Sequence, residues 1–416
     1  MQREENILSA LLYVNVLVLS IIPEHIAFPL SLLFIYYLVA IFRKKTTFLR
    51  SDVAAFFCLS LTFWAGLLGL INTVNIPEGL FDLSRALPVM LLPLILFPLS
   101  PRVSKETLQT TFLLFAAGTI IKLAELFIVA LINYSETSQI TYFFYTGLSR
   151  QTNSFSYYLA VSYFIIYFLF SENDLINQYI PFLRRIRVLE IALLLIITTG
   201  IVFLQAKGVI VSFIIVNIVI ILIRFRKKPV YRLIISLSVC IILFATTGLK
   251  DRFHNFFSDS KTIISKQDDS SAKMDSSLSS TPLRYHAMVS SWKLINENPM
   301  FGVGTGDLID NLKKEYMSEN FLGNYQEATA PHNQFLRSFT KNGLAGLFAL
   351  LIYFIFSFKV SLQKRNPLYL AFTLIIFLCC FSNDLFDSGG GAPLIGFLGT
   401  FLYLYSRTNS FREGGS

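Results

Sequence analysis

Charge is scarce in this chain: only 15% of its 416 residues are Asp, Glu, Lys or Arg, against 54% hydrophobic. That shortage, with a mean hydropathy of +0.59, excludes an ordinary soluble globular protein and puts the sequence in the membrane class. Cysteine is equally sparse, and Cys58, Cys240, Cys379 and Cys380 all fall inside apolar runs, which argues against a disulfide framework. No His/Cys/Asp/Glu cluster has metal-ligand spacing, so neither a metal nor another cofactor is expected. There is no dinucleotide or nucleotide-triphosphate fingerprint. Nor is there an internal repeat of the kind that transporters of this size carry. Inside the apolar runs the ionisable residues are essentially Lys122 and Glu125, an i,i+3 pair that satisfies itself. The net charge of +9 sits mostly in connections between runs and does not imply nucleic acid binding.

What the chain does have is a succession of apolar runs matched to a hydrocarbon core of ~30 Å. They lie at 7–22, 26–42, 53–71, 83–99, 108–132, 155–170, 188–205, 208–223, 230–247, 344–358, 368–382 and 392–405. Backbone polar groups must close internally in lipid, so these runs read as helices. The expectation is an all-α polytopic membrane protein of about 12 transmembrane helices, with one large extracytoplasmic helical loop between helices 9 and 10. Residues 1–247 would hold the first nine helices, 248–343 the loop, and 344–416 the last three with a short tail. The first run lacks a small-residue cleavage site and passes almost at once into the second, so it is expected to be a retained span.

Lysine and arginine concentrate in alternate connections: Arg43 to Arg50, Arg102 with Lys105, Arg184 to Arg187, Arg224 to Arg232, Lys359 to Arg365, and Arg407 with Arg412. These connections are expected to be cytoplasmic, together with both termini, which leaves the long loop outside.

Within that loop, 250–280 is rich in Ser, Asp and Lys and is expected to be mobile. Thr281-Pro282 then reads as a helix start, an N-cap followed by proline at the first helical position. Met288, Trp292 and Ile295 form one stripe of that helix, and Arg284 lies on it. A guanidinium on an apolar face calls for a partner, although snorkelling toward lipid headgroups is the alternative. His286 falls on the polar face and reads as a surface residue. The run Gly302-Val303-Gly304-Thr305-Gly306-Asp307 precedes a short helix; a close packing turn is favoured over an anion cradle. His332, in Ala330-Pro331-His332-Asn333, shares a face with Phe335, Leu336 and Phe339. A helix N-terminus disfavours the imidazolium and keeps this histidine neutral; from the residues alone its role stays open between catalytic and structural.

Other charges mark the outer ends of spans. Lys207 sits at a hairpin tip, where it either anchors the turn or meets a phosphate. Arg85 begins the fourth span and Arg150 precedes the sixth. Asp384 and Asp387 follow the eleventh and are placed to hold one of these cations. The connection 72–82 carries Glu78 and Asp82 but not the paired-acid motif expected of a metal-dependent outer-face glycosyltransferase.

Several of these segments together carry a resemblance. An Arg-led helix ends in Asn298-Pro299-Met300-Phe301-Gly302-Val303-Gly304, Pro331-His332-Asn333 follows, and Asn342-Gly343-Leu344-Ala345-Gly346 enters a span. This resembles the bacterial O-antigen ligase and O-antigen polymerase superfamily over roughly 188 to the C-terminus, most specifically over 284–347. The resemblance implies a metal-independent enzyme of the bacterial inner membrane that works on its periplasmic side. It would transfer a glycan from an undecaprenyl-pyrophosphate carrier to a hydroxyl of lipid A-core or, in a polymerase, of another lipid-linked glycan. By position, Arg284 is similar to the family's pyrophosphate-binding arginine and His332 to its catalytic histidine. Lys207 falls where the family has arginine, so it keeps the charge but lacks the bidentate fork. Arg85 is a further candidate for the pyrophosphate, with Asn333, Asp384 and Gly304 in support. The layout leans to a ligase. A polymerase of O-antigen, capsule or exopolysaccharide is the alternative, and a transporter or flippase a remote one.

Overall fold

A computed structural model describes residues 2–137, 152–172, 187–224, 230–246, 280–319 and 330–410. Most of the stretch expected to be mobile, with Arg150, Arg184 and Arg185, lies outside the described residues. The described chain is helical, with no strand among those residues. In order, the helices are α1 (Gln2–Ile21), α2 (Ala27–Phe42), α3 (Arg50–Leu68), α4 (Ile76–Leu99), α5 (Lys105–Thr137), α6 (Thr152–Glu172) and α7 (Arg187–Phe203). There follow α8 (Lys207–Arg224), α9 (Val230–Thr246), α10 (Ser280–Glu297), α11 (Leu308–Ser318), α12 (Gln334–Gln363), α13 (Pro367–Cys379) and α14 (Gly391–Ser410).

Six of these stretches are long and apolar enough to cross a bilayer: Glu4–Ile21, Pro23–Phe42, Arg50–Leu68, Ile76–Arg102, Lys105–Ser135 and Gln334–Gln363. Helices α6 to α9 and α13 contain shorter apolar segments. The all-helical architecture therefore holds, and among the described residues six stretches qualify as spans by length and composition. Large side chains such as Phe28, Phe42, Leu222 and Ile355 point away from the bundle, as a lipid-facing surface requires. Helix α6 has the opposite character. Every side chain from 155 to 169 is buried, the pattern of a helix that is apolar all round and enclosed by others.

The two ends of the bundle differ. At one, the start of α1 meets the end of α2 and the turn after α4 through Glu4, Arg43, Lys45 and Arg102, and Arg407 of α14 meets Asp52 of α3 at 2.5 Å. Basic residues that follow α2, follow α4 and lie in the last turns of α14 thus hold these ion pairs. At the other end, α10 and α11 close a small core of Ala287, Leu294, Leu308, Leu312 and Tyr316.

One local expectation needs correction. The buried face of α10 carries Ala287, Ser290, Ser291, Leu294 and Ile295, whereas Trp292 is exposed. The stripe was drawn through the large side chains, but α10 packs against both α11 and α12, and small residues admit those neighbours. The expected boundary between loop and tenth span, near 344, falls at a kink: α12 is made of two helical pieces, the first from Gln334, that meet at the non-helical Gly343 (φ 60°, ψ −151°).

Candidate active site

The glycine-rich turn after α10 is a clamp. Gly302 and Gly343 both have positive φ, 70° and 60°, a region that glycine enters without penalty. A Cβ at Gly302 would collide with the Lys341 carbonyl, and one at Gly343 with the Met300 carbonyl. The two glycines therefore permit one backbone-to-backbone contact, sealed by Val303 N to Thr340 O (2.8 Å), Gly304 N to Lys341 O (2.9 Å) and Leu344 N to Pro299 O (3.0 Å). Thr305 Oγ1 donates to Gly66 O at 2.6 Å, and the Asp307 carboxylate accepts from Val74 N and Asn75 N at 2.6 and 2.7 Å. With the amides of 303 to 305 given to carbonyls, the turn locks α10 to α12 and to the α3–α4 connection. It is not an open anion cradle, and Gly304 serves the clamp.

That clamp fixes the first turns of α12. Asn333 caps the helix, its Oδ1 accepting from Leu336 N at 3.1 Å, and Gln334, Arg337 and Lys341 follow at i+1, i+4 and i+8 on one inward face. Lys341 Nζ lies 2.9 Å from Asp82 Oδ2 and 2.7 Å from Asp387 Oδ1. Arg337 reaches Asp82, Asp384 and Asp387, each at 3.4 Å. Gln334 Nε2 donates to Asp387 Oδ2 at 2.6 Å. The Lys341 and Arg337 side chains are only 3% and 9% exposed, a condition that charges tolerate when paired and hydrogen-bonded. Burial alone would raise the Asp387 carboxyl, but Lys341, Arg337 and the hydrogen bonds from Lys341 and Gln334 outweigh it and hold it well below the usual carboxylate range.

His332 stands just before this cap. Its φ of 48° lies in the left-handed region, a conformation that a non-glycine residue keeps at a cost of ~1–3 kcal/mol when its surroundings over-determine it. They do so here: Gln334 N donates to Cys380 O at 2.8 Å, and Asn333 Nδ2 to Phe381 O at 3.4 Å, pinning the corner to the end of α13. His332 Nδ1 faces Asp384 Oδ2 at 4.0 Å. Burial lowers the imidazole pKa and the Arg284 and Arg337 charges lower it further, against an opposing pull from Asp384. Arg284 is half-buried on α10, and its Nε is buried without a hydrogen-bond partner among the described residues. Burial lowers its pKa while Asp384 opposes that shift; a guanidinium stays charged through such changes.

The structure thus brings His332, Arg284, Asp384 and Asn333 to one corner. Lys207 opens α8, and a Cβ at neighbouring Gly208 would collide with Ser382 Oγ, so the hairpin abuts the same post-α13 stretch that carries Asp384. Arg85 is placed differently: it pairs with Asp82 at 3.4 Å and covers the Phe81 ring at 4.0 Å. Sequence reasoning did not single out Arg337, Lys341 or Gln334, nor assign Asp82 a role. One signal was available, since two cations on a single face at the outer end of a span run against the positive-inside rule.

The structure is thus a helical membrane bundle with a buried charge network, a half-buried histidine whose pKa is lowered, and an arginine whose Nε is without a hydrogen-bond partner among the described residues. Residues 192–351 match the family model described as O-Antigen ligase, which supports membership of the O-antigen ligase and polymerase superfamily. The match runs from α7 into α12 and includes Lys207, Arg284 and His332. No curated protein matches the chain.

Proposed function

We propose that the chain is an O-antigen ligase of the bacterial inner membrane, acting on the periplasmic side with both termini cytoplasmic. It moves a glycan from undecaprenyl-pyrophosphate to a lipid A-core hydroxyl. The observation that carries this reading is the meeting of His332 and Arg284 across Asp384, with one arginine donor left unengaged. No nucleoside triphosphate is available outside the cytoplasm, so the donor itself must hold the energy of the bond, and a lipid pyrophosphate is a competent leaving group. His332 faces Asp384 through Nδ1, which leaves Nε2 to take the proton of the acceptor hydroxyl. The acceptor oxygen then forms its bond to the anomeric carbon from the opposite side as the bond to pyrophosphate breaks. The configuration inverts, and the electron pair departs on undecaprenyl pyrophosphate. Arg284 and Lys207 stabilise that growing negative charge.

Complementation of a ligase-null and a polymerase-null host, scored by the lipopolysaccharide ladder, tests the reading. The ligase-null host should regain a ladder. Rescue of the polymerase-null host alone would move the assignment to a polymerase. In the same assay Arg284→Ala should abolish transfer at unchanged protein abundance, and Arg284→Lys should recover little because the fork is lost. Normal ladders from Arg284→Ala would withdraw the pyrophosphate role from this residue.

A further inference from the structure

Between α2 and α4 a cleft of ≈730 Å3 opens at the same end of the bundle as the buried network. Its walls are apolar, from Leu30 and Phe34 on α2 and Leu87 and Leu91 on α4, while its rim carries Arg85, Glu24 and the hydroxyls of Ser31, Ser84 and Ser388. The stretch that joins α13 to α14 ties this cleft to the candidate active site. Along it, Ser382 abuts Gly208 beside Lys207, Asp384 faces His332 and Arg337, Asp387 binds Lys341, and Ser388 to Gly390 line the cleft. The same side of the network is reached through Asp82, whose carboxylate pairs with Arg85 on the cleft and with Arg337 and Lys341 behind it.

We propose that this cleft seats the acyl chains of the acceptor glycolipid, with Arg85 on a phosphate of its headgroup. The identity of the acceptor as lipid A-core rests on the ligase reading. The charge on each side favours this division. Arg284 and Lys207 supply two cations on the α8–α10 side, which suits a pyrophosphate. The cleft presents the Arg85 guanidinium, shared with Asp82, the Glu24 carboxylate, and three serine oxygens that donate to backbone carbonyls and keep acceptor capacity, which suits a sugar head bearing an isolated phosphate. Its apolar walls suit hydrocarbon. Donor and acceptor would then approach His332 from opposite sides of the 380–391 stretch, and Arg85 belongs to the acceptor rather than to the leaving pyrophosphate.

The test is photo-cross-linking on the full-length protein in nanodiscs, with p-benzoylphenylalanine in place of Phe34 and, as a lipid-facing control, in place of Leu222, which is 69% exposed. The probes are radiolabelled lipid A-core and radiolabelled undecaprenyl pyrophosphate. The Phe34 position should capture lipid A-core and not the polyprenyl pyrophosphate. Arg85→Ala should lower that capture about tenfold, equivalent to ~1.4 kcal/mol, and Arg85→Lys should restore part of it. Capture of the polyprenyl pyrophosphate at Phe34, yields indifferent to Arg85, or labelling no greater than at Leu222 would each overturn the proposal. Because the readout is binding, absence of transfer by the wild-type protein would remove the ligase reading without touching this result.

Discussion

Glu4 at the basic end meets Arg43, Lys45 and Arg102, cations whose side chains remain 62%, 40% and 19% exposed, whereas Lys341 and Arg337 at the loop end are 3% and 9% exposed and shared among Asp82, Asp384 and Asp387. Exposed pairs such as those at Glu4 are worth little to stability, because water and salt screen them. The buried network carries a desolvation cost that only complete pairing offsets. The first end therefore marks orientation, and the second holds geometry. Even Asp52, fully buried at the basic end, meets a single cation and joins α3 to α14 as a simple staple. The loop-end network instead joins three separate parts of the chain beneath His332.

The sharpest way to break this contrast is to remove one charge from each end. Lys341→Ala would take from Asp82 and Asp387 their nearest cation and leave both to the longer contacts of Arg337; breaking a buried pair costs up to ~3–5 kcal/mol, and thermal unfolding in detergent should show a clear fall in Tm. Glu4→Gln should leave Tm unchanged. Equal shifts would show that burial does not distinguish the two clusters.

His332→Ala probes the chemistry rather than the scaffold. Loss of a general base should lower transfer by roughly 10²-fold with Tm near that of the wild type, since His332 stands outside the paired network. Normal turnover by this variant would leave the strained backbone at His332 without a catalytic purpose.

A finer test concerns the acidic limb of activity. Under the proposed mechanism the neutral imidazole is the active form and is lost as pH falls through its pKa, which burial, Arg284 and Arg337 hold below the ordinary value of 6.5. The limb should therefore lie below that value. Asp384 opposes the shift, so Asp384→Asn should move the limb further toward acid in a variant that retains measurable activity. Movement toward higher pH would mean that Asp384 is not the carboxylate acting on His332.

Much of this was legible in the residues. The helical class follows from composition and apolar run length, and the family-like segments single out Arg284 and His332. The pairing of Asn298-Pro299-Met300-Phe301-Gly302 with Asn342-Gly343 was visible only as two separate motifs, because a contact between backbones leaves no periodic trace beyond the glycines that permit it. Arg85 read as a further candidate for the pyrophosphate; its position beside the α2–α4 cleft depends on helix packing that spacing does not encode.

By itself, the sequence determined that the chain is helical and membrane-bound, since apolar length and backbone hydrogen bonding in lipid allow little else. Its family-like segments from 284 to 347 lie within the stretch 192–351 that matches the O-Antigen ligase family model. Only the tertiary structure decided which charges face inward. Arg337 and Asp82 stand 255 residues apart, and the side of α12 that is buried is chosen by α3, α10 and α13 packing around it. A helix period alone cannot choose that side, because the sequence records one helix's pattern while burial is set by its neighbours.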